Sequence, residues 1–384
     1  MGQEHSIHPY EDPPEILESR DLPSLAKFIK SGRCKRICVM LGAGVSTSAG
    51  IPDFRSPETG LYANLARLNL PYPEAVFEIN FFRDNPEPFY TLARELLPGR
   101  FRPTPTHSFV KLLSDHGLLN MCYTQNIDTL ERMAGIPPRH IVEAHGSFAN
   151  QHCIDCGAEF DKNTLIKHIK SGTIAHCEAC DGLVKPDIVF FGEALPAEFH
   201  KSIPLLQSAD LLIVMGTSLT VHPFAALAGM VPDSCLRVLI NLDQVGDFGT
   251  RSDDVICLGK TDDVVCDLCK ELGWKEELDA AWKETEKSVI DFNTDDSIAP
   301  QKRSAEDEVE AITEAVGKTL HIQDTPSGAE ETRLDEANQE SFEPDGKAAS
   351  SFQVEVNHAG STKPKATYII GGVEERSVKT ERKN

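Results

Sequence analysis

The clearest chemistry in this 384-residue chain lies in four cysteines spaced as Cys153-x2-Cys156 and Cys177-x2-Cys180. Each pair makes a tight turn with both sulfurs on one side, and two such turns complete a tetrahedron suited to one zinc ion. A closed four-thiolate site has no open position, so the metal is expected to hold structure and do no chemistry. Reactive groups are then sought in what flanks it. His145-Gly146-Ser147 precedes the cysteines, and Lys185-Pro186-Asp187-Ile188-Val189-Phe190-Phe191-Gly192-Glu193 follows them. A histidine before the zinc module and an apolar aromatic run after it suggest a cleft between a small module and a larger domain.

A second pattern lies upstream. The apolar run Arg36 to Leu41 ends in Gly42-Ala43-Gly44-Val45-Ser46-Thr47-Ser48-Ala49-Gly50. A strand feeding a glycine-rich turn and then a helix is a dinucleotide-binding layout, in which small residues let the backbone approach a pyrophosphate. The third glycine of G-x-G-x-x-G is absent, since Thr47 stands there. Other apolar runs also end in small or polar residues. Leu119 to Tyr123 leads to Thr124-Gln125-Asn126-Ile127-Asp128, and Leu211 to Met215 leads to Gly216-Thr217-Ser218. Val238 to Ile240 leads to Asn241-Leu242-Asp243, and Val255 to Leu258 leads to Gly259-Lys260-Thr261. In an open parallel sheet this carboxyl edge is where ligands bind.

These elements imply an α/β fold: a Rossmann-like parallel sheet with helices on both faces, plus a zinc-ribbon module and a helical insertion. Residues 1–20 read as a flexible lead-in and 21–284 as the catalytic domain. Within it the Rossmann-like parts are 21–56, 103–148 and 187–284, the insertion 57–102 and the zinc module 149–186. The sheet is expected to resume near Asp187. Residues 285–384 form an acidic tail: between 286 and 355 there are 18 Asp or Glu against 6 Lys or Arg, too polar to bury a core. Within the tail, Val309, Ile312, Val316 and Leu320 recur at helical spacing and suggest a regulatory helix, or a transient solvated one.

The ordered set of motifs resembles the sirtuins, NAD-dependent protein lysine deacetylases. It comprises Gly42 to Ser46, Gly50-Ile51-Pro52-Asp53-Phe54-Arg55, Thr124 to Asp128, His145-Gly146, the four cysteines, Gly216-Thr217-Ser218-Leu219 and Asn241. The matching pieces span about 20 to 275. Pro71 to Ala75 and Lys185 to Glu193 look most like the cytoplasmic animal and fungal branch.

The resemblance implies that NAD is a consumed cosubstrate and that one zinc is structural. The acetyl-lysine oxygen would displace nicotinamide, and a base would then help a ribose hydroxyl attack. His145 is assigned that base, since imidazole titrates near the working pH. Asn126 and Asp128 would serve the ribose and nicotinamide side, with Gln125 beside them; Asp128 also fits a helix cap before Thr129-Leu130-Glu131. Asp53, Ile51 and Ile127 would meet the carboxamide side. Phe54 would cover the reacting face and Arg55 steady the loop. Gly42, Ala43, Gly44, Ser46, Gly216, Thr217 and Ser218 would contact phosphates or ribose. Asn241 and Asp243 would face the adenosine ribose, and Thr261 the adenine by analogy of position. Val189, Phe190 and Phe191 would line an apolar acetyl-lysine tunnel, with Gly192, Glu193 and Val221 flanking the peptide as it adds as a strand. A plain buried strand is the alternative for Phe190 and Phe191.

Net charge is −22 and the sequence pI is near 5.0. Clustered Lys and Arg are lacking, so direct nucleic-acid binding is not expected, whereas a basic protein tail suits the charge. Eleven cysteines without a leader or transmembrane run point to a reducing compartment. Cys266 and Cys269 read as one helical stripe. Met1-Gly2-Gln3-Glu4-His5-Ser6 fits an N-myristoylation pattern, which gives reversible membrane attachment at most and no stable insertion. The expected partners are acetylated lysine peptides of histones or other proteins, in the cytoplasm, with nuclear entry left open. The rival activities are removal of longer acyl groups and ADP-ribosyl transfer; the non-enzymatic rival is a zinc-ribbon interaction module. Oligomeric state is not legible.

Overall fold

A computed structural model describes residues 12–52 and 70–289. Asp53, Phe54 and Arg55, Gly2, and the 309–320 helical pattern lie outside the described residues. The sheet grows from the short apolar runs. Strands β1 (Ile37–Leu41), β6 (Leu211–Met215) and β7 (Leu236–Asn241) are buried at every position. Such unbroken apolar runs mark parallel strands covered on both faces. With β2 (Leu119–Thr124), β3 (Ile141–Glu143) and β8 (Val255–Leu258), they form one sheet in the order β3-β2-β1-β6-β7-β8, every pair parallel.

Alternate strand residues point to opposite layers. Ile37, Val39, Leu41, Leu211 and Ile213 pack under α1 (Leu22–Lys30), α4 (Pro105–Asp115), α8 (Thr261–Leu272) and α9 (Lys275–Glu284). Cys38, Met40, Leu212 and Val214 pack against α7 (Ala197–Leu206) and the short turn Phe224–Gly229. Strand order runs outward from β1 in one direction and from β6 in the other. The crevice between their carboxyl ends is therefore the switch point where such sheets take ligands.

A second core joins two segments far apart in sequence. Helices α2 (Ile79–Asp84) and α3 (Glu87–Leu96) of the insertion share it with α6 (Lys162–Ser171) and the antiparallel pair β4 (Gly146–Cys153) and β5 (Val184–Ile188). Tyr90 joins them at its hydroxyl, donating to the Val184 carbonyl at 2.7 Å and accepting from the Ala175 N–H at 3.1 Å. The described residues contain no helix long and apolar enough to cross a membrane.

Three expectations are corrected. Among the described residues up to Pro52 no α-helix follows β1: the glycine-rich turn makes two 3-10 turns, Ala43–Val45 and Thr47–Ala49. Gly50 then turns left-handed at φ 93°, and Pro52 disfavours helical geometry at Ile51. Any anion would thus meet turn N–H groups rather than a long helix dipole. Nor does the parallel sheet resume near Asp187; β5 pairs with β4, and the sheet resumes only at β6. Finally, residues 12–20 are not a loose lead-in. The N–H groups of Glu15, Ile16 and Leu17 all donate to the Asp253 carboxylate, at 2.8–3.1 Å, and Leu17 is buried.

Candidate active site and metal centre

At the switch point two turns meet backbone to backbone. Gly44 N donates to Gly216 O at 2.8 Å, and Gly42 N to Met215 O at 3.1 Å. A Cβ on Gly216 would stand 2.6 Å from Val45 N, and one on Gly42 would stand 2.7 Å from Gly216 O. No side chain fits, and Gly216 adopts φ 60° as well. This floor opens into a cleft of about 1080 Å³. Gly42, Ala43, Gly44, Thr217 and Ser218 line its base.

The β2 carboxyl end supplies the polar wall. Asn126, nearly buried, donates from Nδ2 to Gly42 O and to Ser46 Oγ, each at 3.2 Å. Ser46 Oγ donates in turn to the Asp128 carboxylate at 2.7 Å. Gln125 donates from Nε2 to Thr217 Oγ1 at 2.8 Å, bridging the two halves of the sheet. Asp128 accepts the Leu130 N–H at 2.9 Å, so it caps α5 (Leu130–Met133) while also holding Ser46. Ser46, Ile51 and Asp128 line a smaller pocket that shares Ala43, Asn126 and Ile127 with the cleft.

His145 lines the cleft between β3 and β4. Its Nδ1 lies 3.1 Å from the Gln125 carbonyl oxygen. A carbonyl only accepts, so Nδ1 carries the proton and the lone pair of the neutral ring sits on Nε2. Burial pushes the ring below the usual histidine range, and the Gln125 contact only partly opposes this. The ring is therefore neutral near pH 7, as a base requires. Gly146 follows at φ 65°, where β4 crosses β5 too closely for a side chain.

The opposite wall is the segment after β5. Val189 N donates to His145 O at 2.9 Å, tying it to the histidine. Phe190 and Phe191 part company here. Phe190 is buried among Phe77, Phe82 and Phe89, with ring centroids at 5.9, 5.5 and 4.9 Å, and only touches the cleft. Phe191 is 48 % exposed on the cleft wall. Its N–H and C=O are taken by Phe77 O and Ile79 N. Glu193 faces inward: it accepts from Phe190 N at 2.8 Å and pairs with buried Lys185 at 2.9 Å. Lys185 also donates to Ile188 O at 2.6 Å and lies over the Phe190 ring. Glu193 and Phe190 thus shape the wall, while Val189, Phe191, Gly192 and, across the cleft, Val221 offer surface to an occupant.

The far end is formed by Asn241, Asp243 and Thr261. Asn241 Nδ2 donates to Asp243 O at 2.8 Å, which closes the turn after β7. Some cleft residues had no assigned role, Asp262 and Lys260 among them. Asp262 accepts from Ser48 Oγ at 2.6 Å and from Thr106 N at 3.0 Å, joining the glycine turn to α4 and α8. Lys260 lies one residue before α8. The signal for Asp262 was the acidic first turn of α8.

The four cysteines converge. Cys153 and Cys180 sulfurs are 3.5 Å apart, and Cys156 and Cys177 sulfurs 3.6 Å. All four sulfurs lie within 4.8 Å of one another. A tetrahedron with Zn–S bonds of about 2.3 Å has edges of about 3.8 Å, so the set fits zinc. Burial pushes the Cys153 thiol up, but N–H donors from Cys156 and Asp155 and the neighbouring sulfurs bring it down to about 7. Four thiolates complete a tetrahedron and leave no position for a reactant, which suits a structural role.

Against known proteins, the Sir2 family model matches residues 42–223. The NAD-dependent protein deacetylase hst2-1 of Emericella nidulans is 50 % identical over 327 residues, covering 84 % of this chain and 90 % of the relative. The deacetylase hst2 of Schizosaccharomyces pombe is 53 % identical over 265 residues, 69 % of this chain and 80 % of the relative. The deacetylase sirtuin-2 of Danio rerio is 47 % identical over 321 residues, 78 % and 84 %.

Proposed function

The chain belongs to the Sir2 family and is an NAD-dependent protein deacetylase, and from that premise we propose how its residues divide the reaction and which proteins it serves. The observation that carries the assignment of the base is the His145 tautomer. Its Nδ1 is occupied by the Gln125 carbonyl, and its Nε2 lone pair is left for the cleft. NAD, as the consumed cosubstrate, supplies a ribose carbon that the acetyl oxygen attacks as nicotinamide leaves.

The glycine-rich turn at the base of the cleft takes the phosphates, with Thr217 and Ser218 beside it. Asn126 orients the ribose, held by Ser46 and Gly42; Asp128 keeps Ser46 in place. Asn241, Asp243 and Thr261 take the adenosine end. His145 Nε2 accepts the proton of the attacking ribose hydroxyl, a step typically worth about 10²–10⁴-fold. Val189, Phe191 and Val221 exclude water around the uncharged acetyl-lysine stem. Asp53, Phe54 and Arg55 are assigned to the nicotinamide side. The four cysteines would hold zinc and with it the second core.

The substrates proposed are acetylated lysines of histones or other proteins, approached by a chain whose charge of −22 favours basic segments. The location proposed is the cytoplasm, with nuclear substrates reached by shuttling, and Gly2 is proposed to be myristoylated. Intact mass of protein from its native host tests the last point; an unacylated Gly2 ends it. The enzymatic assignment is tested with an acetylated histone-tail peptide, with and without NAD, following nicotinamide and O-acetyl-ADP-ribose. Product that needs NAD and disappears in His145→Ala supports the assignment. Nicotinamide release without deacetylation would move the reading to ADP-ribosyl transfer.

A further inference from the structure

Behind the polar wall lies a buried cluster that the division of labour above does not use. Thr104 and His107 open α4 as a capping box: Thr104 N donates to His107 Nδ1 at 3.2 Å, and Thr104 Oγ1 donates to Val45 O at 3.0 Å. His107 is fully buried, and its Nε2 has no partner among the described residues. Glu131 on α5 is 1 % exposed, and its Oε1 is likewise unpartnered. A ring nitrogen of His107, a Glu131 oxygen and an Asp128 oxygen all lie within 4.8 Å of one another.

Nδ1 is taken up in the capping box, 3.2 Å from the Thr104 N–H and 2.8 Å from Thr104 Oγ1. Burial pushes the ring below the usual histidine range, so a neutral His107 stands against the two carboxyl groups. Burial pushes the Glu131 carboxyl up to about 8, with the charges of Asp128 and Glu143 adding to it, so it keeps its proton near neutral pH. Neutral His107 and protonated Glu131 thus both stand against Asp128.

Glu131 connects to Asn126 by two routes. One runs through Asp128 to Ser46 Oγ and then to Asn126 Nδ2. The other runs through Thr124, which hydrogen-bonds the Glu131 carboxyl and accepts the Asn126 N–H at 3.1 Å. We propose that His107 and Glu131 are positioning residues of the deacetylation site: bearing on Asp128 and Thr124 from behind, they fix the side chain and backbone of Asn126. The proposal rests on the reading that Asn126 orients the ribose.

The groups facing Glu131 decide its pH response. Asp128 and Arg132 stand beside it, and Arg132 is committed to Glu143 of β3 by a bidentate pair at 2.7 and 2.8 Å. From α4 comes neutral His107, with Asp262 of α8 beyond it. From β2 comes Cys122, whose thiol is pushed well up by burial. No uncommitted cation faces Glu131 among these groups. Its ionisation would put a second charge beside Asp128 and push the two carboxylates apart. A carboxyl raised in the fold stabilises it most at low pH, and that contribution fades as pH rises toward about 8.

The test uses the full chain and compares wild type, Glu131→Gln, His107→Phe and Asn126→Ala. Melting temperature and both Michaelis constants are read at neutral pH, and turnover is read from neutral to alkaline pH. The wild type is expected to lose turnover along an alkaline limb that Glu131→Gln lacks, while Glu131→Gln keeps neutral-pH turnover. His107→Phe is expected to lose about 10- to 100-fold in turnover with the peptide Michaelis constant unchanged, the cost of misplacing a reacting group by roughly 1 Å. Identical alkaline limbs in wild type and Glu131→Gln would overturn the proposal, even if His107→Phe fails to fold. So would variants that lower only the melting temperature. An active Asn126→Ala would overturn the site reading along with it; an inactive one beside unchanged limbs overturns this proposal alone.

Discussion

Replacing Gly216 by alanine should separate the glycine floor from ordinary turn geometry. The new methyl would stand 2.6 Å from Val45 N and 2.8 Å from the Gly44 carbonyl carbon, both backbone atoms. Ordinary contact begins near 3.4 Å, so the two turns must part by about 0.8 Å. Alanine at φ 60° costs about 1–2 kcal/mol, and a methyl forced into a packed site costs about 1–3 kcal/mol more. A sum of about 2–5 kcal/mol lowers the melting temperature of a domain this size by roughly 5–20 °C. The separation also carries Ala43 and Ser46 away from Asn126. A displacement near 1 Å at a reacting centre costs up to about 100-fold in kcat/KM. Gly117→Ala is the control: Gly117 has φ 69°, with nothing within 4 Å of the methyl. It should cost about 1 kcal/mol and leave NAD kinetics alone. Thermal unfolding and initial rates against NAD read both effects. If Gly216→Ala is no less stable than Gly117→Ala and keeps its Michaelis constant for NAD, the two turns are not locked and the argument fails.

Lys185→Met removes the cation beneath the Phe190–Glu193 wall, leaving the Ile188 carbonyl and Glu193 without it. The Michaelis constant for acetylated peptide should rise with that for NAD unchanged, and equal rises would refute the wall's role. Arg237→Met strands Asp254, which is fully buried and otherwise paired with it at 2.6 Å; a loss of about 3–5 kcal/mol in denaturant unfolding is expected. His145 is held below 6.5 by burial, so its folded form binds a proton less readily than its unfolded form. The resulting stability is present above pH 6.5 and fades as pH falls toward the lowered value, while the acid limb of kcat/KM should lie below 6.5. A limb at or above 6.5 would exclude His145 as the base. Zinc chelation should loosen α2 and α3 together with the cysteine module, since Cys153 and Cys177 belong to the same core as Phe82 and Tyr90. Unchanged near-ultraviolet dichroism after metal removal would contradict that shared core.

Much of the site was legible because its signals are local. Two Cys-x2-Cys turns specify a tetrahedron without reference to the fold, and the described sulfurs meet at 3.5 and 3.6 Å. Apolar runs ending in small residues mark parallel strands and their carboxyl edge, and β1, β2, β6, β7 and β8 follow those runs. Other features depend on partners distant in sequence. Phe190 and Phe191 are adjacent and chemically equal; only the positions of Phe77, Phe82 and Phe89 decide that one is core and the other faces the cleft. That Glu193 pairs with buried Lys185 is likewise set by the fold. The strand near Asp187 could not be placed, because its partner, β4, is read from pairing and not from pattern.

By itself the sequence determined the residue types, the zinc spacing, the strand edge on which ligands sit and the family to which the chain belongs. Residue type and short-range spacing fix those properties before any folding. Only the tertiary structure decided which nitrogen of His145 bears the proton, that Asp128 both caps a helix and holds Ser46, and that His107 and Glu131 stand behind Asn126. Each of these depends on a hydrogen-bond partner or a desolvated neighbour brought from another element. Burial and proton placement are properties of the packed assembly, and no local pattern encodes them.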